Sequence, residues 1–148
     1  MKRRWFVWIA AGIGSVCLVA IAVLVVILWL GSGLNYIQRA TEINLPSGIS
    51  QVDTFDNLEY FIVAHVRLRK EDVASFRDEY GFFSIPAFST LYLPTEGLKP
   101  ENRTIPANAD LVYLEGRSES NSWECALDQN SGRLWIVVYY PDPGGTLP

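Results

Sequence analysis

Few side chains in this chain could act as catalysts. His65 is the only histidine and could serve as a general base. Neither a G-x-S-x-G motif nor a Cys–His motif accompanies it. The paired carboxylates, Asp53 with Asp56 and Glu71 with Asp72, are more simply explained as turn and helix-start residues. We therefore predict a structural or surface role for His65 and no enzymatic activity.

Metal-ligating residues are equally sparse. A single histidine cannot form a Cys/His zinc site with the two cysteines of this chain. Asp128-x-Asn130-x-Gly132 is similar to the opening of a calcium loop, but Arg133 and Tyr139 occupy the positions that would need glycine and an acid. This segment is predicted to be a hairpin turn. Glycine-rich phosphate loops are also missing from the sequence, so no metal and no cofactor are expected.

An aromatic segment is the most distinctive candidate for a binding surface. An exposed apolar patch commonly marks a site for a partner. The alternative is that these side chains cover the open face of a sheet. The residues concerned are Phe82, Phe83, Phe88, Leu91 and Tyr92.

A long apolar run indicates where the protein resides. Residues 5–30 contain no charged residue, and 26 residues of helix would extend roughly 39 Å, enough to cross a hydrocarbon core. Trp5, Trp8 and Trp29 lie near its two ends, as an aromatic belt at the membrane interfaces would. We predict a single-pass transmembrane helix.

The charges beside this run predict its orientation. Three basic residues precede it, so the positive-inside rule places residues 1–4 in the cytoplasm. A juxtamembrane linker at 31–47 and a periplasmic or extracellular domain at 48–148 follow. Cleavage near Gly33, which would release a secreted form, is the alternative. Small residues such as Ala10 and Gly14 have a spacing that would permit a homodimer.

The outer part of the chain is small and acidic. Its nine basic and 16 acidic residues give a net charge of −7, which argues against nucleic acid as a partner. Its single cysteine, Cys125, excludes an internal disulfide. Cys125 lies on the same face of a predicted strand as Trp123 and Leu127, so its burial is predicted. An intermolecular disulfide is the alternative.

Hydrophobic periodicity predicts the elements of this outer domain. Val73, Phe76 and Tyr80 follow helical spacing, and Gly81 is positioned to cap that helix. The last strand is apolar on both faces, which favours a central position. Between the helix and the later strands, we expect an extended segment and then a solvated loop. The predicted elements are strands at 49–56, 58–68, 111–119, 122–128 and 133–140, and a helix at 70–80.

Together these patterns predict an α+β protein. An N-terminal transmembrane helix is followed by a small domain of about four or five antiparallel strands with one packed helix. The predicted function is that of a membrane-anchored, extracytoplasmic protein-interaction domain, an accessory or inhibitory subunit with a partner in the cell envelope. A small-ligand or cation sensor is the alternative function.

Overall fold

The core of the domain is one antiparallel sheet of six strands, in the order β1-β2-β6-β5-β4-β3. The computed structural model describes residues 17–24, 33–84, 93–118 and 121–141. Residues 17–24 are helical. The remaining helices are α1 (Gly33–Thr41), α2 (Lys70–Tyr80) and α3 (Pro100–Arg103). The strands are β1 (Ser50–Asp56), β2 (Phe61–Arg67), β3 (Phe83–Ser84), β4 (Leu111–Arg117), β5 (Ser122–Asp128) and β6 (Arg133–Tyr139). The predicted α+β class and antiparallel sheet are confirmed, while the described strands number six because the two-residue β3 adds an edge.

Strand β6 lies between β2 and β5, as its apolar faces predicted. Its residues alternate between two hydrophobic clusters, with Leu134 and Ile136 on one side and Trp135 and Val137 on the other. All four side chains are fully buried. The sheet is therefore covered on both faces.

Helices α1 and α2 cover one face, which we call the helical face. Val73 and Phe76 of α2 and Ile37 of α1 are buried against it. Gly81 ends α2 in the left-handed conformation, with φ of 70°, and its N–H donates to the carbonyl of Arg77. The predicted bounds and C-terminal cap of α2 are both confirmed.

Helix α1 occupies the segment that the sequence assigned to a linker. Ile37 is 0% exposed, and Ile43, just beyond the helix, is 1% exposed. Residues 33–47 therefore contribute side chains to the core. Two packed helices, not one, stabilise this face of the sheet.

A loop at 93–105, which includes α3, covers part of the opposite face. We call this side the loop face. Leu93 and Leu98 are buried there against Val63 and Trp135. The sequence predicted an extended segment and then a solvated loop here, but Leu98 makes the later part of this segment a contributor to the second core cluster.

The second strand begins later than its alternation predicted. Leu58 and Tyr60 are 82% and 68% exposed, and the strand starts at Phe61. Asn57 Oδ1 accepts hydrogen bonds from the backbone N–H groups of Tyr60 and Phe61, at 2.8 and 2.9 Å. This local competition for backbone donors makes residues 57–60 a turn, so the predicted start at Leu58 is wrong.

Within the described ranges, no helix combines the length and apolar character that a membrane crossing requires. The predicted span at 5–30 lies outside those ranges except for residues 17–24. Trp5, Trp8 and Trp29 also lie outside the described residues.

Candidate functional site

The aromatic segment chosen from the sequence divides between the two faces. Phe82 packs on the helical face, with its ring centroid 5.8 Å from that of Phe76. Phe83 is 47% exposed, and its ring meets Tyr113 edge-on at 5.4 Å. Phe88, Leu91 and Tyr92 lie outside the described residues. Of the two members that the structure places, Phe83 is exposed and Phe82 is partly buried.

The calcium-like segment forms the predicted hairpin turn. The buried carboxylate of Asp128 accepts hydrogen bonds from the backbone N–H groups of Asp110 and Asn130 and from the Ser131 hydroxyl. Gly132 has φ of 70°, the left-handed conformation that glycine adopts without strain. The acid therefore stabilises the turn. In the described part of the chain, no three His, Cys, Asp or Glu residues come close enough to hold a metal ion.

The structure instead reveals a polar cleft at one end of the loop face. Its volume is about 370 Å³. Strands β1, β2 and β6 form its floor, and the loop at 93–105 forms one wall. The lining residues are Gln51, Val52, Arg67, Lys99, Glu101, Asn102 and Arg133.

Two arginines face one another at the floor of the cleft. Arg67 of β2 and Arg133 of β6 are direct cross-strand partners. Side chains of such partners project from the same face, and like charges in this arrangement repel. Burial, followed by the positive charge of Arg67, lowers the pKa of the Arg133 guanidinium. The register thus concentrates positive charge where the sheet ends.

Surrounding groups hold the guanidinium of Arg133 in place. Its Nε donates to His65 Nε2 at 3.1 Å, and its Nη2 donates to the carbonyl oxygen of Glu101 at 2.7 Å. The guanidinium carbon lies 4.8 Å from the ring centroid of Trp135, a cation–π distance. These three contacts preorganise the charge.

His65 lies beneath Arg133 and is 0% exposed. Because its Nε2 accepts from Arg133, the imidazole is neutral and carries its proton on Nδ1. Burial, then the charge of Arg133, lowers the pKa of His65 to about 4, and the nearby backbone of Gln51 opposes this shift. Nδ1 has no partner at hydrogen-bonding geometry among the described residues. His65 thus supports the cleft from below.

Asp53 fastens the loop wall to the sheet. Its Oδ2 accepts from the Lys99 backbone N–H and from Asn102 Nδ2, both at 2.8 Å. Burial acts to raise the pKa of this carboxyl, but the Asn102 and Lys99 hydrogen bonds outweigh it, so the pKa is lowered. Trp135 Nε1 donates to the carbonyl of Asn102 at 2.8 Å and secures the same wall. The wall is therefore held from two strands.

The first strand bends where it borders the cleft. The pairing register of β1 shifts between Ser50 and Asp53, which marks a β-bulge. Within it, Gln51 has φ of 52°, an unfavourable value for a residue other than glycine. Bulges and strained residues are frequent beside functional sites, where they redirect side chains. The bulge contributes Gln51 and Val52 to the lining.

A second cavity, of about 380 Å³, lies beside the acidic pair Glu115 and Glu124. These residues are cross-strand partners on β4 and β5, and the hydroxyl of Tyr113 donates to Glu115 Oε2 at 3.3 Å. Burial is the main cause of the raised pKa of Glu124, and the negative charge of Glu115 adds to it. Both carboxylates interact with the Tyr113 hydroxyl, so their proximity is explained by contacts within the protein.

No pattern in the sequence predicted the cleft. Its residues come from positions 51, 67, 99 and 133, which are far apart in the chain. Arg67 and Arg133 were visible as the polar ends of two apolar strands. Their juxtaposition depends on the register of β2 and β6, which the sequence pattern did not supply.

Comparison with known proteins gives no match to this chain among protein families, curated proteins or solved structures.

Proposed function

We propose that this chain is a single-pass, membrane-anchored protein whose outer domain binds a partner in the cell envelope. One observation supports the proposed membrane anchor. Residues 17–24 are helical and expose large apolar side chains. Leu18 is 70% exposed and Val19 is 61% exposed, in the middle of an uncharged run. Water would solvate such a surface poorly, whereas lipid would cover it.

The charge distribution supports an outward-facing domain. Lys2, Arg3 and Arg4 precede the apolar run, and the residues after it carry a net charge of −7. The basic cluster favours a cytoplasmic N-terminus. The acidic domain would be repelled by anionic lipid head groups, which favours recognition of a protein rather than docking on the bilayer.

The short connection to the core supports a role close to the membrane. A Cβ atom at Gly33 would lie 3.0 Å from Ile62 Cδ1, so the chain already contacts the sheet there. Only residues 25–32 separate this point from the helical residues at 17–24. The domain would therefore reach a neighbouring envelope protein. An accessory or inhibitory role of this chain towards that protein fits such a position.

The anchor is tested by alkaline extraction of membranes and by the intact mass of the protein. We expect the full-length chain to stay in the membrane fraction and a C-terminal tag to be accessible only from outside. Release into the soluble fraction would refute the anchor. A mass lacking the residues before Gly33 would instead establish cleavage and a secreted form.

The interaction is tested by crosslinking in intact membranes, followed by purification through the tag. We expect one discrete envelope protein, with a yield that falls in Phe83→Ala because Phe83 is the half-exposed aromatic residue of the candidate surface. Leu58→Ala removes another exposed apolar side chain, far from that segment, and is the matched control. Recovery of the tagged protein alone would count against partner binding.

A further inference from the structure

We propose that the cleft binds a soluble small molecule through an oxyanion, a phosphate or carboxylate group, placed between Arg67, Arg133 and Lys99. This inference goes beyond the anchored interaction role, because it requires neither the anchor nor a protein partner.

The first support is an imbalance of charge. The outer domain has a net charge of −7, yet three of its nine basic residues line this one cleft. Glu101 is the single acidic residue in the lining. Among the described residues, the ion pairs involve Arg69 and Arg77, and none involves a cleft cation. The lining, with three basic residues and one acidic residue, therefore carries a net charge of +2, while Asp53 and Asp128 lie close enough to act on Lys99 and Arg133.

The second support is the supply of hydrogen-bond donors. A guanidinium carries five N–H donors. Arg67 uses its Nε to reach the Ser131 carbonyl at 3.3 Å, which leaves both of its terminal nitrogens available. Arg133 directs Nε, Nη1 and Nη2 to His65, Thr104 and Glu101 but retains further N–H groups. The planar guanidinium can donate two parallel hydrogen bonds to two oxygens of a carboxylate or a phosphate, and two guanidiniums can share one such group.

The third support is preorganisation. The Arg133 guanidinium is fixed by His65, Trp135 and backbone carbonyls before any ligand arrives. Asp53 and Trp135 hold the wall that carries Lys99. The Arg133 guanidinium and the backbone of the loop wall would therefore lose little conformational entropy on binding. A volume of about 370 Å³ suits a small molecule rather than a folded partner.

Position in the fold favours a soluble ligand over a lipid head group. The chain reaches the sheet at Gly33, which lies against Ile62 near the start of β2. Arg67 ends the same strand, roughly 16 Å away at the rise of an extended chain. The cleft thus lies at the end of the sheet opposite the chain's entry.

The direct test is calorimetric titration of the full-length protein in neutral detergent with inorganic phosphate, pyrophosphate and citrate. Sodium chloride at equal ionic strength serves as the reference. We expect saturable binding of at least one oxyanion, with a Kd of about 1 mM or tighter. Failure of all three to bind, or a response that chloride reproduces, would overturn the proposal. Preference for phosphates or for citrate identifies which oxyanion class the cleft accepts.

Charge-neutralising variants locate the site. Lys99→Gln and Arg67→Gln should each weaken binding about tenfold, because a charge-assisted hydrogen bond is lost. Lys70→Gln removes an equally exposed lysine at the start of α2 and should leave binding unchanged. Lys99 makes only a backbone hydrogen bond among the described contacts, so Lys99→Gln should fold normally. Equal weakening in all three variants would indicate a nonspecific charge effect and refute the site.

Bilayer nanodiscs distinguish a soluble oxyanion from the head group of an anionic lipid as the ligand of the cleft. Amide resonances of Gln51, Arg67 and Arg133 should shift on addition of the soluble oxyanion in neutral-lipid discs. Shifts of these amides produced by anionic lipid alone, with no further response to soluble oxyanions, would contradict a soluble ligand.

Discussion

Arg133 shows how one side chain can join the core to a surface site. Its guanidinium is held by His65 below and by the carbonyl of Glu101 beside it, while Trp135 offers its ring face. Its cross-strand neighbour Arg67 repels it. The negative charge of Asp128 partly opposes this repulsion, and the contacts to neutral acceptors leave the guanidinium charged. The cleft thereby keeps its positive potential.

The pH dependence of stability should carry a contribution from His65. Its pKa is about 4 in the folded protein against an ordinary value of 6.5, so between these values the unfolded chain binds more protons. Stability from this group is therefore present above pH 6.5 and is lost as the pH falls towards 4. The maximum contribution is roughly 3 kcal/mol.

His65→Gln keeps a hydrogen-bond acceptor for Arg133 but does not titrate. The free energy of unfolding, measured with urea between pH 7 and pH 4.5, should fall more steeply for the natural protein than for His65→Gln. Carboxylates affect both proteins alike, so the difference isolates His65. Parallel curves would show that the imidazole is not held neutral.

The two cysteines should differ sharply in reactivity. Cys125 is 0% exposed, and burial raises the pKa of its thiol, so the nucleophilic thiolate is disfavoured. In Cys17→Ser, which leaves Cys125 as the sole thiol, a maleimide should react only after denaturation. Because Cys125 is buried, any reducible dimer should require Cys17, which is exposed on the helical residues of the proposed membrane span. Rapid labelling of folded Cys17→Ser, or a dimer that survives this substitution, would contradict the buried position of Cys125.

At the scale of elements, local signals predicted some parts of the fold well. Helix α2 carries its own helical spacing and its own C-terminal glycine, so its bounds follow from residues within it. Strands β5 and β6 flank a strong turn, and β6 is apolar on both faces. Where the stabilising contacts lie within an element, the sequence alone specifies it.

Other elements depend on distant partners. Helix α1 has apolar Leu34, Ile37 and Ala40 at helical spacing, but the pattern is only nine residues long and gains its stability from the sheet. The loop at 93–105 lacks regular periodicity, yet Leu98 fills a site created by Trp135 and Val137. The cleft is harder still to predict, because it requires strand register and a loop anchored by Asp53.

The loop wall should be sensitive to one glycine. A Cβ atom at Gly97 would lie 2.0 Å from the Phe55 ring, which no ordinary contact permits. Gly97→Ala should therefore displace the loop and destabilise the protein by about 1–3 kcal/mol in urea unfolding. The same substitution should cost much less in a Phe55→Ala background, where the ring is absent. Equal costs in both backgrounds would show that Phe55 does not limit the loop's approach.

At the scale of the molecule, the sheet separates the proposed anchor from the proposed ligand site. Gly33 meets the sheet beside Ile62, near the start of β2, whereas the cationic cleft lies at the strand's other end. The acidic remainder of the domain would repel competing anionic surfaces, and the cleft would attract a small anion locally. A membrane-proximal domain built in this way would present its ligand site to the surrounding solution.

The boundary of the folding unit should lie before α1 rather than after the predicted linker. Ile37 and Ile43 are buried to 0% and 1% exposure, and loss of a buried aliphatic side chain commonly costs about 2–5 kcal/mol. Because total stability is only about 5–15 kcal/mol, a chain of residues 48–148 should not fold, whereas residues 33–148 should unfold cooperatively. Circular dichroism during heating distinguishes them, and Ile37→Ala in the full chain should lower the midpoint more than Gln38→Ala. A cooperative, equally stable 48–148 fragment would mean that α1 rests on a core complete without it.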